Sequence, residues 1–331
     1  MRVLVTGANG FIGRYVVAAL LARGHEVRAL VRRNPRGLTH EAGRVEHVVA
    51  DLSSTADLGP AFDRIDALIH LAAALHGTAT EQRATTVEGT RQLLAAMART
   101  STHRLVLASS LAVYDWDAVG ETVCEDSPLL PESGFGASGP YAAAKAQQER
   151  LTRRISSEHE WRLTVLRPGF VWGGGASVPA CLGMRLGPAF LVVGPRSRRA
   201  LCYVENCADL FATAVDHPQA VGQTFIAVDD DEMGCWHQAG DLLRGSGHPG
   251  LRVPVPYVVA APGARLVHAL LARVGTEHLH SGLAPARFRA RFRPIRTSAK
   301  AAREILGWRP PWSYREALGR AFDIGSAGPG P

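Results

Sequence analysis

The sequence predicts an α/β fold, a doubly wound parallel sheet with a smaller C-terminal lobe, and three observations predict it. Through the first two thirds of the 331 residues, short β-branched or leucine-rich runs alternate with longer helical patterns, as parallel strands joined by crossover helices require. The first strand-to-helix junction is rich in glycine. Hydrophobic residues make up 46% of the chain and charged ones 20%, too apolar for a disordered polypeptide and enough for a sizeable core.

Taken in order, strands are expected at residues 3–6, 26–31, 45–50, 67–70, 105–108 and 163–166, and helices at 12–23, 56–62, 81–99 and 141–157. Gly24 stands where a helix C-cap is wanted, and Pro140 suits a first helical turn. Beyond Arg167 the alternation weakens. Segments 168–179 and 183–199 are rich in glycine and proline and read as loops facing a substrate. A helix returns at 206–216, a strand at 224–228 and a helical tail at 298–322; residues 325–331 offer nothing larger than alanine or proline as an anchor.

The formal charge of +7 invites a nucleic-acid partner, yet the only lysines are Lys145 and Lys300, a compositional bias toward arginine that names no partner by itself. Cys124, Cys181, Cys202, Cys207 and Cys235 form an odd, scattered set without a CxxC pair, read as reduced thiols and not as metal ligands. Met1-Arg2 leads straight into Val3-Leu4-Val5 and leaves no room for a signal peptide, so a cytoplasmic location is expected. The longest apolar stretch, 253–274, is broken by Pro254, Pro256, Pro262, Arg265 and His268; neither a membrane span nor a membrane partner is expected. Residues 287–293 alternate arginine with Phe288, Ala290 and Phe292, a pattern shared by a single-strand nucleic-acid groove, an edge strand and a cationic helix. No nucleic-acid-binding motif accompanies it, and no nucleic-acid partner is expected.

Between the first strand and the first helix the chain reads Thr6-Gly7-Ala8-Asn9-Gly10-Phe11-Ile12-Gly13. Gly7 permits a tight turn, Gly10 lets backbone approach a pyrophosphate, and Gly13 allows the helix to pack closely on the strand. The helix N-terminus then offers free N–H groups to phosphate. Where the second strand ends, an NAD site places an acidic residue on the adenosine ribose, but here stand Arg32 and Arg33. Guanidinium groups fork onto a 2′-phosphate, so NADP(H) is favoured over NAD(H); solvated loop charges are the alternative. Asp51, after the third strand, is placed either to meet the adenine edge or to cap the turn before Ser53.

Tyr141 and Lys145 are four apart in a helical pattern and so share a face. A phenol with an ordinary pKa of about 10 is a poor acid or base at neutral pH, and Lys145 is expected to lower it. The competing reading is a surface tyrosine beside a solvated lysine. It is weakened by the scarcity of lysine here, because a planar guanidinium does not replace a compact ammonium at ribose hydroxyls. Ser110 follows the fifth strand at the carboxyl end of the sheet, where a hydroxyl can hold a substrate oxygen, and Ser109 should point to the other face.

Eight motifs, TGANGFIG at 6–13, ADL at 50–52, HLAA at 70–73, SSLAVY at 109–114, YAAAK at 141–145, RPGFVWG at 167–173, YVENCADL at 203–210 and LGWRP at 306–310, keep chain order to about Phe322. Together they resemble the extended short-chain dehydrogenase/reductase family, the class of nucleotide-sugar epimerases and dehydratases, dihydroflavonol-type reductases and hydroxysteroid dehydrogenases. The resemblance implies a Rossmann domain for NADP over residues 1–168 and 203–235, a substrate lobe over 169–202 and 236–323, and a flexible tail at 324–331. It implies that Ser110, Tyr141 and Lys145 are catalytic. The implied dinucleotide contacts are Gly7, Asn9, Gly10, Phe11, Ile12, Gly13, Arg32, Arg33, Asp51, Leu52, Leu71, Ala72, Ala73, Tyr141, Lys145, Pro168, Gly169 and Phe170. The implied substrate contacts are Ser110, Leu111, Phe170, Trp172 and Arg199, with no metal; a homodimer through the helices at 81–99 and 141–157 is implied as well.

Departures from the family pattern narrow the function. Phe170 stands where nucleotide-sugar enzymes usually carry Asn and fits an apolar substrate wall; Arg199 matches the diphosphate-binding Arg of those enzymes, although Arg196 and Arg198 beside it make composition an alternative. Thr86 replaces the Asn of the NVxGT pattern, the residue that would organise a proton relay or a helix-bending water. Asp115 and Trp172 replace Gly and Tyr as pocket adjustments. His70 is expected to pack, and Glu205 and Asp209 to serve as helix-start charges. The expected function is an NADP(H)-dependent oxidoreductase of ketoreductase or alcohol dehydrogenase type, acting on a small, fairly apolar carbonyl or alcohol such as a natural-product or steroid-like compound. A nucleotide-sugar epimerase or dehydratase is one alternative, and a non-redox dinucleotide sensor or docking module is the alternative from another class.

Overall fold

Parallel strands covered on both faces read as continuous apolar runs, and the first strand shows why. In the computed structural model, which describes residues 1–32, 44–54, 57–176, 178–229, 233–248, 250–276 and 281–322, β1 (Arg2–Thr6) sends Val3 and Val5 into one core and Leu4 into another. The chain continues through α1 (Phe11–Ala22), β2 (Glu26–Val31), β3 (Val45–Val49), β4 (Ala67–His70), α2 (Ala79–Arg83), α3 (Gly89–Met97), β5 (Arg104–Ala108), β6 (Thr122–Val123), α4 (Phe135–Ser138), α5 (Pro140–Glu158) and β7 (Arg162–Pro168). There follow β8 (Phe170–Trp172), β9 (Gly183–Leu186), β10 (Ala189–Val193), β11 (Leu201–Tyr203), α6 (Val204–Asp216) and β12 (Thr224–Ala227). The remainder is α7 (Cys235–Gly245), β13 (Leu251–Val255), α8 (Tyr257–Arg273), α9 (Pro285–Phe292), β14 (Arg296–Thr297), α10 (Lys300–Leu306) and α11 (Tyr314–Phe322).

Seven parallel strands in the order β12-β7-β5-β4-β1-β2-β3 form the central sheet, the Rossmann arrangement expected. Val16 and Leu20 of α1 pack with Leu210 and Phe211 of α6 on one face, and Leu93, Leu94 and Met97 of α3 cover the other. Strand order reverses between β1 and β4, whose last residues, Thr6 and His70, are register partners. Ligands of such sheets bind outside the carboxyl ends at that reversal.

Several expected elements come out differently. Residues 183–199 hold the antiparallel pair β9 and β10, joined through Gly187 and Pro188, with β13 added parallel to β10; glycine and proline at the hairpin turn had suggested loops. Pro254 lies in β13, where an edge strand tolerates its missing N–H. The helix expected at 56–62 is only a 3-10 turn, Gly59–Phe62, with residue 56 outside the described residues. The C-terminal tail is two helices, not one: Gly307 ends α10 in a left-handed conformation, and Ser313 caps α11 with Glu316, whose carboxylate accepts from the Ser313 N–H and hydroxyl at 2.9 and 2.6 Å. Residues 287–292 are helical, with Phe288 and Phe292 turned into the core and Arg289 paired to Asp117. No described helix is long and apolar enough to cross a membrane.

Candidate functional site

The turn between β1 and α1 is built from bare backbone. Gly7 has φ of +69°, and a Cβ there would lie 2.9 Å from the Ala72 nitrogen; a Cβ at Gly13 would lie 2.1 Å from the Gly7 oxygen, so the helix can sit this close only with glycine. Gly10 precedes the helix without a side-chain cap, and the first turn carries no acidic residue. Its N–H groups therefore meet no competing side chain, and the residues fit a dinucleotide pyrophosphate. Asn9 and Gly10 are exposed, while Phe11 and Ile12 are half-buried.

Neighbouring strand ends complete this side. Leu71, Ala72 and Ala73 are half-buried just past β4, and the Ala72 N–H donates to the Thr6 hydroxyl at 3.2 Å. Arg32 is exposed directly after β2, whose Leu30 is the register partner of Thr6. Arg33 lies outside the described residues, as does the tail at 324–331. Asp51 accepts from the Ser53 N–H and hydroxyl at 2.9 and 2.7 Å, the turn-capping alternative. Leu52 is buried in the core against Gly89.

Tyr141 and Lys145 lie on α5, which begins with Pro140 at its first turn and carries the small residues 142–144 between them. The Lys145 side chain is 2% exposed, and its ammonium donates to the Ala108 carbonyl at 2.5 Å and to Gln148 Oε1 at 2.6 Å. Gln148 Nε2 donates to the Thr90 hydroxyl at 2.8 Å and lies 3.1 Å from His70 Nε2. His70 Nδ1 in turn lies 2.6 Å from the Thr6 hydroxyl, so an unbroken line of buried side chains joins the glycine turn to Lys145. Burial, and then the Lys145 charge, push the imidazole down to about 3 and keep it neutral. Burial also lowers the Lys145 ammonium to about 7, against the opposing pull of Glu149.

For Tyr141 the electrostatics correct the expectation. Burial raises its phenol above the ordinary value, and the opposing influence is the neighbouring Ser110 hydroxyl, not the ammonium. Lys145 shares the helix face but spends its protons on Ala108 and Gln148. Ser110 itself is partly exposed and accepts from the Ala112 N–H at 3.1 Å.

The helix spanning 79–97 contains one wide π-helical turn, Ala84–Glu88. Thr86 sits in it, accepting from the Ala74 N–H at 3.0 Å, while the Thr90 hydroxyl donates to the Thr86 carbonyl at 2.5 Å. A bend thus exists without the family asparagine, and it presents Thr90 to Gln148. Gln148 and Thr90 were not foreseen; a glutamine three residues beyond a buried lysine on the same helix was the available signal.

On the far side of α5, Ser109 donates to Glu149 at 2.5 Å, and Glu149 binds Arg167 at 2.6 Å, with Arg167 also donating to the Tyr114 hydroxyl at 2.8 Å. Burial pushes the Glu149 carboxyl up, but the Arg167 hydrogen bond and charge prevail and hold it down to about 2. Ser109 therefore faces away from Ser110, as its position predicts. Glu205 pairs with Arg320 at 2.8 Å and Asp209 accepts from the Trp308 indole at 2.8 Å.

On the substrate side, Pro168 is buried, the Gly169 N–H donates to the Ala227 carbonyl at 2.9 Å, and Phe170 is half-buried. Phe170 and Val171, with Phe11 and Arg14 of α1 and residues 175, 176 and 178–180, wall a cleft of about 430 Å³ beside the glycine turn. Tyr141, Ser110 and Lys145 are not among its walls. Three expected substrate contacts are buried side chains. Leu111 is a core side chain, and Trp172 is 1% exposed between Tyr203 and Tyr314, at 5.1 and 5.5 Å between rings. Arg199 is likewise buried, its guanidinium donating to the carbonyls of Phe292 at 2.9 Å and Val193 at 2.5 Å.

The model of the NAD dependent epimerase/dehydratase family matches residues 3–227. The chain is similar to a 3-diazoavenalumate denitrifying reductase of a Streptomyces species, 32% identical over 97% of this chain and 100% of that protein. It is also similar to the 4-hydroxy-2-methyl-3-oxo-4-farnesyl-3,4-dihydroquinoline-1-oxide ketoreductase of Stigmatella aurantiaca, 28% identical over 100% of this chain and 98% of that protein. Among solved structures, UDP-glucuronic acid 4-epimerase from Bacillus cereus in complex with NAD superposes with a TM-score of 0.72 at 19% identity, covering 98% of each chain, a likeness of fold.

Proposed function

The chain belongs to the NAD dependent epimerase/dehydratase family, and from that premise we propose that it is an NADP(H)-dependent oxidoreductase of ketoreductase or alcohol dehydrogenase type acting on a small, fairly apolar carbonyl or alcohol. The observation that carries this reading is the line of buried side chains that ties Lys145, one helical turn on from Tyr141 along α5, through Gln148 and His70 to Thr6 at the glycine turn.

The glycine turn and the uncapped α1 would hold the pyrophosphate, Lys145 the nicotinamide ribose, and Arg32 with Arg33 the 2′-phosphate. The cofactor, when bound, supplies hydride exchange with a carbonyl carbon. Ser110 would hold the carbonyl oxygen, and Tyr141, kept protonated by its burial, would give that oxygen its proton. Phe170, half-buried beyond β7 where nucleotide-sugar enzymes usually carry Asn, supports an apolar substrate, and the Stigmatella ketoreductase points the same way. Residues 169–202 and 236–323 would select the substrate, in a cytoplasmic homodimer. Against the nucleotide-sugar alternative stands Arg199, whose guanidinium is taken up by two backbone carbonyls.

Fluorescence titration with NADPH and its oxidation with apolar ketones test the reading. The Tyr141→Phe variant should bind NADPH as the wild type does and lose at least about a hundredfold in turnover. Wild-type protein that binds the dinucleotide but never consumes it, or a Tyr141→Phe variant with full turnover, overturns the reading.

A further inference from the structure

Residues 242–303 contain eleven lysines and arginines and one acidic residue, Glu277, whereas the rest of the chain holds 26 cations against 29 acids. All of the net positive charge therefore belongs to one stretch. Within it, α8 is amphipathic in an inverted sense. Its inner face, with Tyr257, Ala260, Ala261 and Ala264, packs on Phe288 and Phe292, while Val258, Val259, Leu266, Val267 and Leu270 stand 44–76% exposed. Val274, just past the helix end, is 70% exposed as well.

Val259, Leu266 and Leu270 follow one another at seven and four residues, so they form a single stripe along the outer face. Other exposed large hydrophobics among the described residues, such as Met1, Val49 and Leu129, are scattered along the chain, which is ordinary for a protein surface. A continuous stripe is not, and marks a docking face. Arg265 and Arg273 are exposed along the same helix, which carries no acidic residue.

We propose that α8 lies flat on an anionic lipid surface, with Val259, Leu266 and Leu270 in the boundary between headgroups and acyl chains and Arg265 and Arg273 at the phosphates. Charge decides the occupant. A second copy docking this face on itself would bring an acid-free cationic helix against another, whereas an anionic surface complements both the arginines and the apolar stripe. The sequence-based expectation of no membrane partner rested on breaks that exclude a span; lying on a surface needs no span, and 17 residues containing Pro262 suit it. The inference stands apart from the redox reading, since it needs neither cofactor nor substrate.

Co-sedimentation of the full chain with vesicles tests it. The protein should pellet with vesicles of phosphatidylglycerol and phosphatidylcholine in equal parts at least about tenfold more readily than with phosphatidylcholine alone, and less so as salt is raised. Arg265→Gln with Arg273→Gln should weaken that preference about tenfold, and Val259→Glu, Leu266→Glu and Leu270→Glu together should abolish pelleting. Circular dichroism spectra and urea midpoints, unchanged in both variants, report that the fold survives. Wild-type protein left in the supernatant, a triple variant that pellets like wild type, or a lipid-free dimer that the triple variant dissolves into monomers overturns the proposal, the last by assigning the face to a second copy.

Discussion

The Lys145 ammonium lies 2.6 Å from the side-chain oxygen of Gln148, and that amide hands the contact on to Thr90 at 2.8 Å. A buried cation needs such partners, because an uncompensated charge is expelled or neutralised. Replacing Gln148 by Leu keeps the volume and removes the acceptor. Turnover should fall about tenfold to a hundredfold, the worth of a hydrogen bond to a charged group. Gln148→Glu should restore much of the rate, and its carboxylate should raise the ammonium from about 7, moving the corresponding limb of the kcat/KM profile to higher pH. Glu149, the other charged group near the ammonium, is the same in both variants, while the carboxylate introduced at position 148 would also lie against His70 and raise its imidazole. A Leu variant with the wild-type pH profile would show that Gln148 only fills space.

The proposed preference for NADPH rests on Arg32, exposed after β2, whose Leu30 is the register partner of Thr6 before the glycine turn. Arg32→Ala should weaken NADPH binding by about tenfold or more and leave NADH binding unchanged, because only the former carries the 2′-phosphate. Equal losses for both, measured by fluorescence titration, would remove Arg32 from that phosphate.

The central sheet was legible because its inner strands β1, β4 and β5 are buried on both faces and so announce themselves as apolar runs, with Gly24 and Pro140 as helix-end signals; edge strand β3, with Glu46 and His47, is largely exposed. Local order also made Gly7, Gly13, Tyr141 and Lys145 readable. What escaped was set by contacts distant in sequence. Nothing beside Trp172 says that Tyr203 and Tyr314 will enclose it, and nothing beside Arg199 reveals the Phe292 carbonyl. The partners of the Lys145 ammonium escaped for a related reason: spacing puts it on the face of Tyr141, but it follows the acceptors that burial offers, Ala108 and Gln148.

Glu149 and Arg167 are each buried and bind one another at 2.6 Å, so neither can turn to water if its partner is lost. Glu149→Ala should therefore destabilise the fold by about 3–5 kcal/mol, well beyond a surface pair. Urea unfolding followed by circular dichroism measures it. Because Ser109 and Arg153 also bind this carboxylate, Glu149→Gln should cost less than Ala but more than a surface substitution. A loss below about 1 kcal/mol for the Ala variant would mean that Arg167 finds other acceptors, for which Tyr114 and the Glu125 carbonyl are the candidates.

His70 gives the acid limb of stability. Its folded pKa, lowered by burial and the Lys145 charge from 6.5 to about 3, lies below that of the unfolded chain, so unfolding takes up a proton between those values. The stabilisation is complete above pH 6.5 and is lost as the pH falls toward 3. At about 1.4 kcal/mol per pH unit, roughly 2 kcal/mol should disappear between pH 6.5 and 4.5. Glu149, held down to about 2 from 4.5, adds its own loss only below that interval, and Lys145, lowered from 10.5 to about 7, acts above it, where stability should rise with pH. The interval between 6.5 and 4.5 thus reads His70 against ordinary surface groups. Urea midpoints measured across it should slope in the wild type and flatten in His70→Gln, whose amide can still bond Thr6 or Thr90 but takes up no proton. An equal slope in both proteins would place the lost stability elsewhere than in this imidazole.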